Sequence, residues 1–263
     1  MDLELAGDAA LVTASSSGLG KASAKALARE GSNVVLNGRD EGRLEDARTE
    51  IESVASGRVV THAGDLTDPD DISELVSVTV EEFGGLDHLV TSAGGPPSGP
   101  FLETTDEDWY AAYDLLVMSV VRLIRAAADE LRAGDGGSVV HITSHSVKEA
   151  IDSLVLSNSV RMSVIGLEKT LSRELAPEVR FNSVLPGPIE TERTRELLEQ
   201  AIERGEFDSY EEGLAAKGST NPVERIGRPM ELGNTVAFLC SPASAFTNGI
   251  TVPIDGGLGR SNI

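Results

Sequence analysis

The chain is poor in cysteine, aromatic residues and basic residues. Its 263 residues include one Cys, one Trp and 22 Lys and Arg. The lone Cys240 excludes an internal disulfide and a cysteine-based metal cluster, and no set of His, Asp and Glu has metal-ligand spacing, so we expect no metal. The longest apolar run, residues 115–118, is too short for a membrane span. The acidic N-terminus lacks the basic and apolar regions of a secretion signal, which predicts a cytoplasmic protein.

Negative charge dominates the composition. There are 43 Asp and Glu against 22 Lys and Arg, which gives a net charge of −21, and five of the basic residues are Lys. The acids are spread along the chain, which favours a halophilic surface whose self-repulsion is screened by salt. An ordinary acidic cytosolic protein is the alternative. Both interpretations argue against nucleic acid as a partner.

Short apolar runs alternate with longer amphipathic stretches along the whole chain. This alternation predicts a Rossmann-type doubly wound parallel seven-stranded sheet with helices on both faces, in a single α/β domain over residues 1–263. Ligands in such sheets bind beyond the carboxyl ends of the strands. The predicted strands are residues 9–13, 33–36, 59–62, 88–91, 138–143, 180–185 and 250–254. The predicted helices are residues 20–30, 40–55, 70–83, 109–132, 157–176 and 229–239.

The first predicted strand runs into a glycine-rich turn and then a helix. Gly18 and Gly20 let the chain turn sharply and let a ligand approach without a Cβ in the way. A helix N-terminus directs backbone N–H groups and the positive end of the dipole at an anion such as a pyrophosphate. The order of strand, turn and helix therefore predicts a dinucleotide site.

Six motifs give the chain a resemblance to the short-chain dehydrogenase/reductase family over nearly its whole length. The glycine-rich turn is the first, although Ala14 stands where the family has its first Gly. The others follow in order along the chain: Asn37-Gly38-Arg39, Gly64-Asp65-Leu66, Thr91-Ser92-Ala93-Gly94, Pro186-Gly187-Pro188-Ile189 with Thr191, and Asp255-Gly256-Gly257.

The end of the second strand bears on the choice of cofactor. A carboxylate there accepts hydrogen bonds from the ribose 2′-OH of NAD, but this chain has neutral Asn37 followed by Arg39. A guanidinium favours a 2′-phosphate, so we predict NADP(H) over NAD(H), unless Arg39 is a solvated residue paired with Asp40. By resemblance, Asp65 bonds the adenine amine. The resemblance implies cofactor contacts at Thr13, Ser15, Ser16, Gly18, Leu19, Gly20, Asn37, Arg39, Asp65, Leu66, Ser92, Ala93, Gly94, Arg161, Pro186, Gly187, Ile189 and Thr191.

The catalytic residues of the family are largely replaced. In the family a Tyr donates the proton, a Lys four residues later lowers its pKa, a Ser polarises the carbonyl, and an Asn in an earlier helix completes a proton relay. Ser144 matches the Ser, but Ser157 stands in place of the Tyr, Arg161 in place of the Lys and Leu116 in place of the Asn. A Ser hydroxyl is shorter and far less acidic than a phenol of pKa about 10, and Arg does not relay protons. The ordinary mechanism is therefore not available.

Two explanations remain open for this replacement. One is an atypical oxidoreductase whose acid comes from elsewhere, with His145 beside Ser144 as the first candidate and Tyr113 and Lys148 as weaker ones. His145 and Lys148 are otherwise solvated loop residues, and Tyr113 otherwise packs between helices. The other explanation is a dinucleotide-binding sensor or interaction protein without turnover. The Ser-Asn-x-x-Arg pattern resembles a subgroup described as 3-oxoacyl-carrier-protein reductase-like.

We therefore predict an NADP(H)-dependent oxidoreductase that interconverts a carbonyl and a hydroxyl on a small-molecule or acyl substrate. Ser144 polarises the carbonyl, Arg161 holds the cofactor ribose, Ser157 orders water as a proton path, and His145 is a further catalytic candidate. By resemblance, residues 192–217 cover the site as a lid. Helices 109–132 and 157–176 form, by the same resemblance, the interface of a homodimer or homotetramer.

Overall fold

The structure is a computed structural model that describes residues 2–134 and 136–261. Its seven strands all run parallel in one sheet, which confirms the predicted fold class. The strands are β1 (Ala9–Val12), β2 (Asn33–Gly38), β3 (Val59–Ala63), β4 (His88–Thr91), β5 (Gly137–Ile142), β6 (Val179–Pro186) and β7 (Thr251–Ile254). Their order in the sheet is β3-β2-β1-β4-β5-β6-β7. The order reverses between β1 and β4, so a crevice opens beyond their carboxyl ends.

Helices connect the strands and cover both faces of the sheet. Asp40 and Thr105 begin two of them, since their side chains accept hydrogen bonds from the N–H groups of Arg43 and Asp108. The helices are α1 (Gly18–Arg29), α2 (Glu41–Glu52), α3 (Pro69–Phe83), α4 (Asp106–Tyr113), α5 (Ser119–Leu131), α6 (Val155–Val160), α7 (Met162–Glu174), α8 (Glu192–Glu203), α9 (Tyr210–Gly218) and α10 (Pro229–Cys240). Of the described helices, none has the length and apolar character to cross a bilayer.

The core lies in two layers, one on each face of the sheet. Strand β1 shows the alternation: Ala10 and Val12 pack in one layer and Leu11 in the other. The first layer includes Leu27 of α1 together with residues of α2 and α10, and the second includes residues of α3, α5 and α7. Both faces are apolar because helices cover both, as is typical of parallel sheets. This rigid support fixes the loops at the strand ends.

Two long predicted helices and the predicted lid are each interrupted in the structure. Residues 114–118 form a π-helical turn between α4 and α5, and the Ser119 hydroxyl donates to the Leu115 carbonyl beside it. Helices α6 and α7 meet at Arg161, whose carbonyl accepts from the Val164 N–H in a tighter turn. The predicted lid, residues 192–217, divides into α8 and α9, because Gly205 with a φ of 73° ends the first of them.

Candidate functional site

A cleft of about 690 Å³ opens at the carboxyl ends of β1, β2 and β4. It lies where the strand order reverses, as the fold predicts. Most of the residues that we predicted to contact a cofactor line this cleft: Ser16, Gly18, Leu19, Gly20, Asn37, Arg39, Asp65, Leu66, Ser92, Ala93, Gly94, Arg161 and Thr191.

The glycine-rich turn at the floor of the cleft is shaped to receive an anion. Gly18 has a φ of 57°, and a Cβ at Gly20 would lie 2.4 Å from the Ala14 carbonyl oxygen. Ser17 begins α1 without a side-chain cap, and no acidic residue lies in the first turn of this helix. The first N–H groups of α1 therefore remain to bind a ligand, and the helix dipole favours a negative one.

Thr13 and Ser15 hold the turn in place from behind. The Thr13 hydroxyl donates to the Ser92 carbonyl over 2.7 Å and accepts from the Ser92 N–H over 2.9 Å. The Ser15 hydroxyl donates to the Val12 carbonyl and accepts from the Asn37 N–H. Both side chains are buried and lie outside the lining of the cleft. They act on a ligand through the shape of the turn.

The Asn37 amide is fully occupied by the backbone. Its nitrogen donates to the carbonyls of His62 and Gly64, and its oxygen accepts from the Ala14 N–H. Arg39 is exposed at the rim of the cleft, while Asp40 caps α2. Of the two residues that we weighed for cofactor choice, Arg39 is the one whose side chain is available to a ligand.

Asp65 keeps its negative charge at the same end of the cleft. Its carboxylate accepts from the N–H and the hydroxyl of Thr67, both over 2.8 Å. These hydrogen bonds, and more weakly the charge of Arg39, hold the pKa of Asp65 below its usual range. Across the mouth of the cleft, Glu192 of α8 forms an ion pair with Arg43 of α2. This ion pair joins the predicted lid to the wall of the cleft.

A second cavity of about 910 Å³ adjoins the end of β5. Thr143 lines the first cleft and Ser144 lines this cavity, so the two meet at these consecutive residues. Pro186 and Gly187, which we predicted as cofactor contacts, line the second cavity, while Ile189 is buried in the core. The remaining lining residues are His145, Glu149, Ala150, Ile151, Pro188, Thr220, Pro222, Gly257, Leu258 and Arg260.

Three serines form a chain behind the wall of the second cavity. The Ser144 hydroxyl accepts from the Ser146 N–H over 3.1 Å, and the hydroxyls of Ser146 and Ser157 lie 3.0 Å apart. Ser157 is buried, and its side chain lies outside the lining of both cavities. Leu116 packs in the core. The structure thus gives Ser144 access to a ligand and places Ser157 behind Ser146.

Arg161 is a buried cation between the cleft and the core. It is 9% exposed, and one terminal nitrogen donates to the Gly94 carbonyl over 3.2 Å. Within residues 2–134 and 136–261 it forms no ion pair, and its Nε has no partner. Burial lowers the pKa of Arg161 to about 10, so it still carries its charge at neutral pH. An uncompensated buried charge of this kind favours negative charge in the adjoining cleft.

His145 is buried beside Ser144, which corrects the solvated alternative. It is 3% exposed, and its Nδ1 lies 3.2 Å from Asp255 Oδ2, close enough for an ion pair with a protonated ring although the angle makes no hydrogen bond. Its Nε2 lies 3.7 Å from Glu149 Oε2. Sequence reasoning missed both carboxylates, since Asp255 was noted only as part of a motif. Tyr113 and Lys148 line neither cavity.

The C-terminal segment packs over this histidine. The Gly259 N–H donates to Asp255 over 3.1 Å, and the Arg260 N–H donates to Glu149 over 2.6 Å. The Arg260 N–H, followed by the neighbouring His145, holds the pKa of Glu149 below its usual range. A Cβ at Gly259 would lie 2.9 Å from the His145 ring. The His145 ring is therefore surrounded by the carboxylates of Asp255 and Glu149 and by the backbone of residues 259–260.

The sheet, the switch point, the glycine-rich turn and the uncapped helix together define a Rossmann-type nucleotide-binding fold. Residues 13–259 match the family described as enoyl-(acyl carrier protein) reductase. The chain belongs to the short-chain dehydrogenase/reductase family of oxidoreductases, which confirms the resemblance read from its motifs.

Similar proteins cover nearly the whole chain. The uncharacterized oxidoreductase YvrD of Bacillus subtilis is 31% identical over 99% of this chain and 100% of its own length. L-sorbose reductase from Gluconobacter frateurii, solved with NADPH and L-sorbose, has a TM-score of 0.94 at 30% identity and covers 99% of this chain and 100% of its own. The NADPH-bound short chain oxidoreductase from Pseudomonas aeruginosa PAO1, described as containing an atypical catalytic center, has a TM-score of 0.89 at 28% identity, with 97% and 98% covered.

Proposed function

We propose that the protein is an NADP(H)-dependent oxidoreductase that interconverts a carbonyl and a hydroxyl on a small molecule by a mechanism without the usual Tyr. One observation carries the proposal: the cleft with the anion-binding turn and the cavity with Ser144 meet at residues 143–144. A dinucleotide in the cleft and a substrate in the cavity would then share one boundary. NADPH in the structures of similar proteins supports the same cofactor here.

The residues present fit a dinucleotide. The uncapped N-terminus of α1 would hold the pyrophosphate, and Arg39 would hold a 2′-phosphate. Asp65 would accept from the adenine amine. Gly94, Thr191 and Arg161 line the remainder of the cleft and would hold the nicotinamide end. When bound, the nicotinamide supplies or accepts a hydride.

Ser144 is placed to polarise a carbonyl. Because its oxygen already accepts from the Ser146 N–H, its own proton is left to donate to a substrate oxygen in the second cavity. Arg161 lines the adjoining cleft and keeps its charge at neutral pH, so it would hold the cofactor ribose there. The Ser157 hydroxyl lies within hydrogen-bond distance of the Ser146 hydroxyl, and we propose that Ser157 forms part of a proton path through it.

His145 is the proposed acid. It lines the same cavity as Ser144, and a ring N–H can donate to a substrate oxygen there. Asp255 lies 3.2 Å from its Nδ1 and Glu149 lies 3.7 Å from its Nε2, so the two carboxylates hold the ring in place. In this proposal, a histidine that lies between two carboxylates donates the proton that the Tyr phenol donates in the family.

We propose a ketone as the class of substrate. The similarity to L-sorbose reductase favours a polyhydroxy ketone, and the match to the enoyl-(acyl carrier protein) reductase family favours an acyl group. A second candidate function is dinucleotide binding without turnover, which the burial of Ser157 away from both cavities favours.

Titrations with NADPH and NADH, followed by NADPH oxidation with L-sorbose and with an acetoacetyl thioester, test the proposal. We expect saturable NADPH binding, turnover of one carbonyl, and a loss of roughly 10²–10³ in kcat for Ser144→Ala. Exposed Ser163 on α7 supplies the matched control, Ser163→Ala, which should keep full activity. Binding without turnover would establish the second candidate. Failure to bind either dinucleotide would overturn both.

We also propose that the protein is cytoplasmic, adapted to high salt and assembled as a homodimer or homotetramer. Three large apolar side chains near α4 are exposed, with Leu102 at 92%, Tyr110 at 75% and Phe101 at 64%. An exposed apolar patch of this kind is typical of an interface. Light scattering behind gel filtration in 2 M KCl checks the assembly, and a monomer there would contradict it.

A further inference from the structure

A small cavity of about 20 Å³ lies behind the cleft, between β4, β5, α5 and α7. Two buried nitrogens without partners belong to residues that line it, Nε2 of His141 and Nε of Arg161. We infer that one internal water occupies this cavity and bridges Arg161 Nε to His141 Nε2, which makes His141 the residue that positions Arg161. The inference rests on the proposed function only where it concerns NADPH binding.

The two nitrogens have complementary roles. Nε of an arginine carries a proton and only donates. His141 is 1% exposed, and burial lowers the pKa of His141 to about 4, so its ring is neutral at pH 7 and one of its nitrogens accepts. A water between them accepts from Arg161 and donates to His141. Neither nitrogen has a hydrogen-bond partner in the described part of the protein, so the two side chains do not contact each other directly through them. The water connects them instead.

The contact on the other side of the ring fixes the tautomer. Nδ1 of His141 lies 2.7 Å from the hydroxyl of Thr91. If Nε2 accepts from the water, Nδ1 carries the proton and donates to Thr91. A water that accepts from Arg161 and donates to His141 therefore requires the Nδ1–H tautomer of His141, which is a property that can be measured.

The cavity suits a single water. Its volume exceeds the 10–15 Å³ or so that one water needs, and buried waters hold 2–4 hydrogen bonds. Five hydroxyl-bearing residues also line it: Thr13, Thr91, Ser92, Ser119 and Thr143. On the helix side Leu116 offers no polar atom, and the Ser119 hydroxyl already donates to the Leu115 carbonyl. His141 of β5 is the lining residue whose side-chain nitrogen is left without a partner to pair with Arg161.

The water bridge would fix the orientation of the Arg161 guanidinium at the cleft. Arg161 has the Gly94 carbonyl as its acceptor on the cleft side, and the water bridge supplies an acceptor on the core side. With both, the guanidinium keeps one orientation towards the cleft. Without the bridge, a buried N–H group loses its partner, which costs the charged group a hydrogen bond worth about tenfold or more.

Long-range ¹H–¹⁵N NMR of ¹⁵N-histidine-labelled protein at pH 7 tests the tautomer directly. The chain has four histidines, and His141→Gln identifies the His141 signals by their loss. We expect a protonated Nδ1 and an unprotonated Nε2. The Nε2–H tautomer would overturn the inference that the water donates to His141, because the water would then accept from both nitrogens. This readout requires no turnover.

Variants and crystallography complete the test. A crystal structure at better than 1.5 Å should show one water within hydrogen-bond distance of both nitrogens, and density for neither water nor ion would overturn the inference. We expect His141→Leu to weaken NADPH binding about tenfold, and His141→Gln, which keeps an acceptor, to restore most of it. Equal effects of the two variants would contradict a positioning role. His62→Gln on β3 is the control, and it should leave NADPH binding unchanged.

Discussion

Replacing Arg39 with alanine should weaken the binding of NADPH about tenfold and change the binding of NADH less than twofold. Arg39 lies at the rim of the cleft and its side chain is exposed. It takes part in no ion pair among the described residues and acts only weakly on Asp65, so its charge remains for a ligand. NADH lacks the 2′-phosphate, and the substitution removes nothing that it would contact.

The magnitude follows from exposure. Two unit charges about 4 Å apart attract by about 1 kcal/mol in water and by about 4 kcal/mol at an effective dielectric constant of 20. Because Arg39 is exposed, its interaction with a phosphate lies near the lower limit, at about 1–2 kcal/mol. A change of 1.4 kcal/mol is tenfold in affinity. The same exposure makes the difference shrink at high salt.

Fluorescence titration of both dinucleotides at 0.05 and 0.5 M KCl measures the effect. Arg58→Ala serves as the control, because Arg58 is also exposed and pairs with Glu82 outside the cleft. Equal weakening of NADPH and NADH in Arg39→Ala would refute the role of the guanidinium in cofactor choice. Unchanged NADPH binding would refute it as well.

Three further predictions concern stability. Burial raises the pKa of Glu168 to about 7, so its contribution to the free energy of unfolding is full below pH 4.5 and is lost as the pH rises through 7, by about 3 kcal/mol in all. Urea unfolding at a series of pH values should show this loss in the wild type and not in Glu168→Gln, and parallel pH profiles of the two proteins would contradict it. Ala14 has a φ of 46°, which strains a residue with a Cβ, so Ala14→Gly should raise the free energy of unfolding by about 1 kcal/mol. A lower free energy of unfolding in urea for this variant would count against the strain. With a net charge of −21, the protein should melt at a higher temperature in 2 M KCl than in 0.1 M KCl by calorimetry, and a lower melting temperature in high salt would argue against a halophilic surface.

The strands and the cofactor cleft could be predicted because local patterns determine them. Apolar runs with β-branched residues locate all seven strands to within about two residues, and the glycine-rich turn locates the cleft. The breaks in the helices were not predicted, since the π-turn at residues 114–118 and the junction at Arg161 leave the helical spacing of apolar residues unchanged. Periodicity reports which side of a helix is buried, and it is insensitive to one extra residue in a turn.

The partners of the proposed catalytic residues could not be predicted, because they come from distant parts of the chain. His145 meets Asp255, which lies more than a hundred residues further on, and a loop histidine has no local pattern that distinguishes burial from exposure. Asn37 was weighed as a cofactor ligand, but its amide donates to the carbonyls of His62 in β3 and Gly64 just after it. Ser157 was predicted because it stands where the family has its Tyr, and a position in sequence does not give the direction of the side chain, which here meets Ser146.

The transfer of hydrogen from the cofactor to a carbonyl is the central claim, and isotope labelling tests it most directly. NADPH deuterated at C4 of the nicotinamide is incubated with the enzyme and the same ketones, and the products are analysed by mass spectrometry. Our account predicts an alcohol one mass unit heavier, formed by the wild type and nearly absent with Ser144→Ala. Saturable NADPH binding with no deuterium in any product would contradict it.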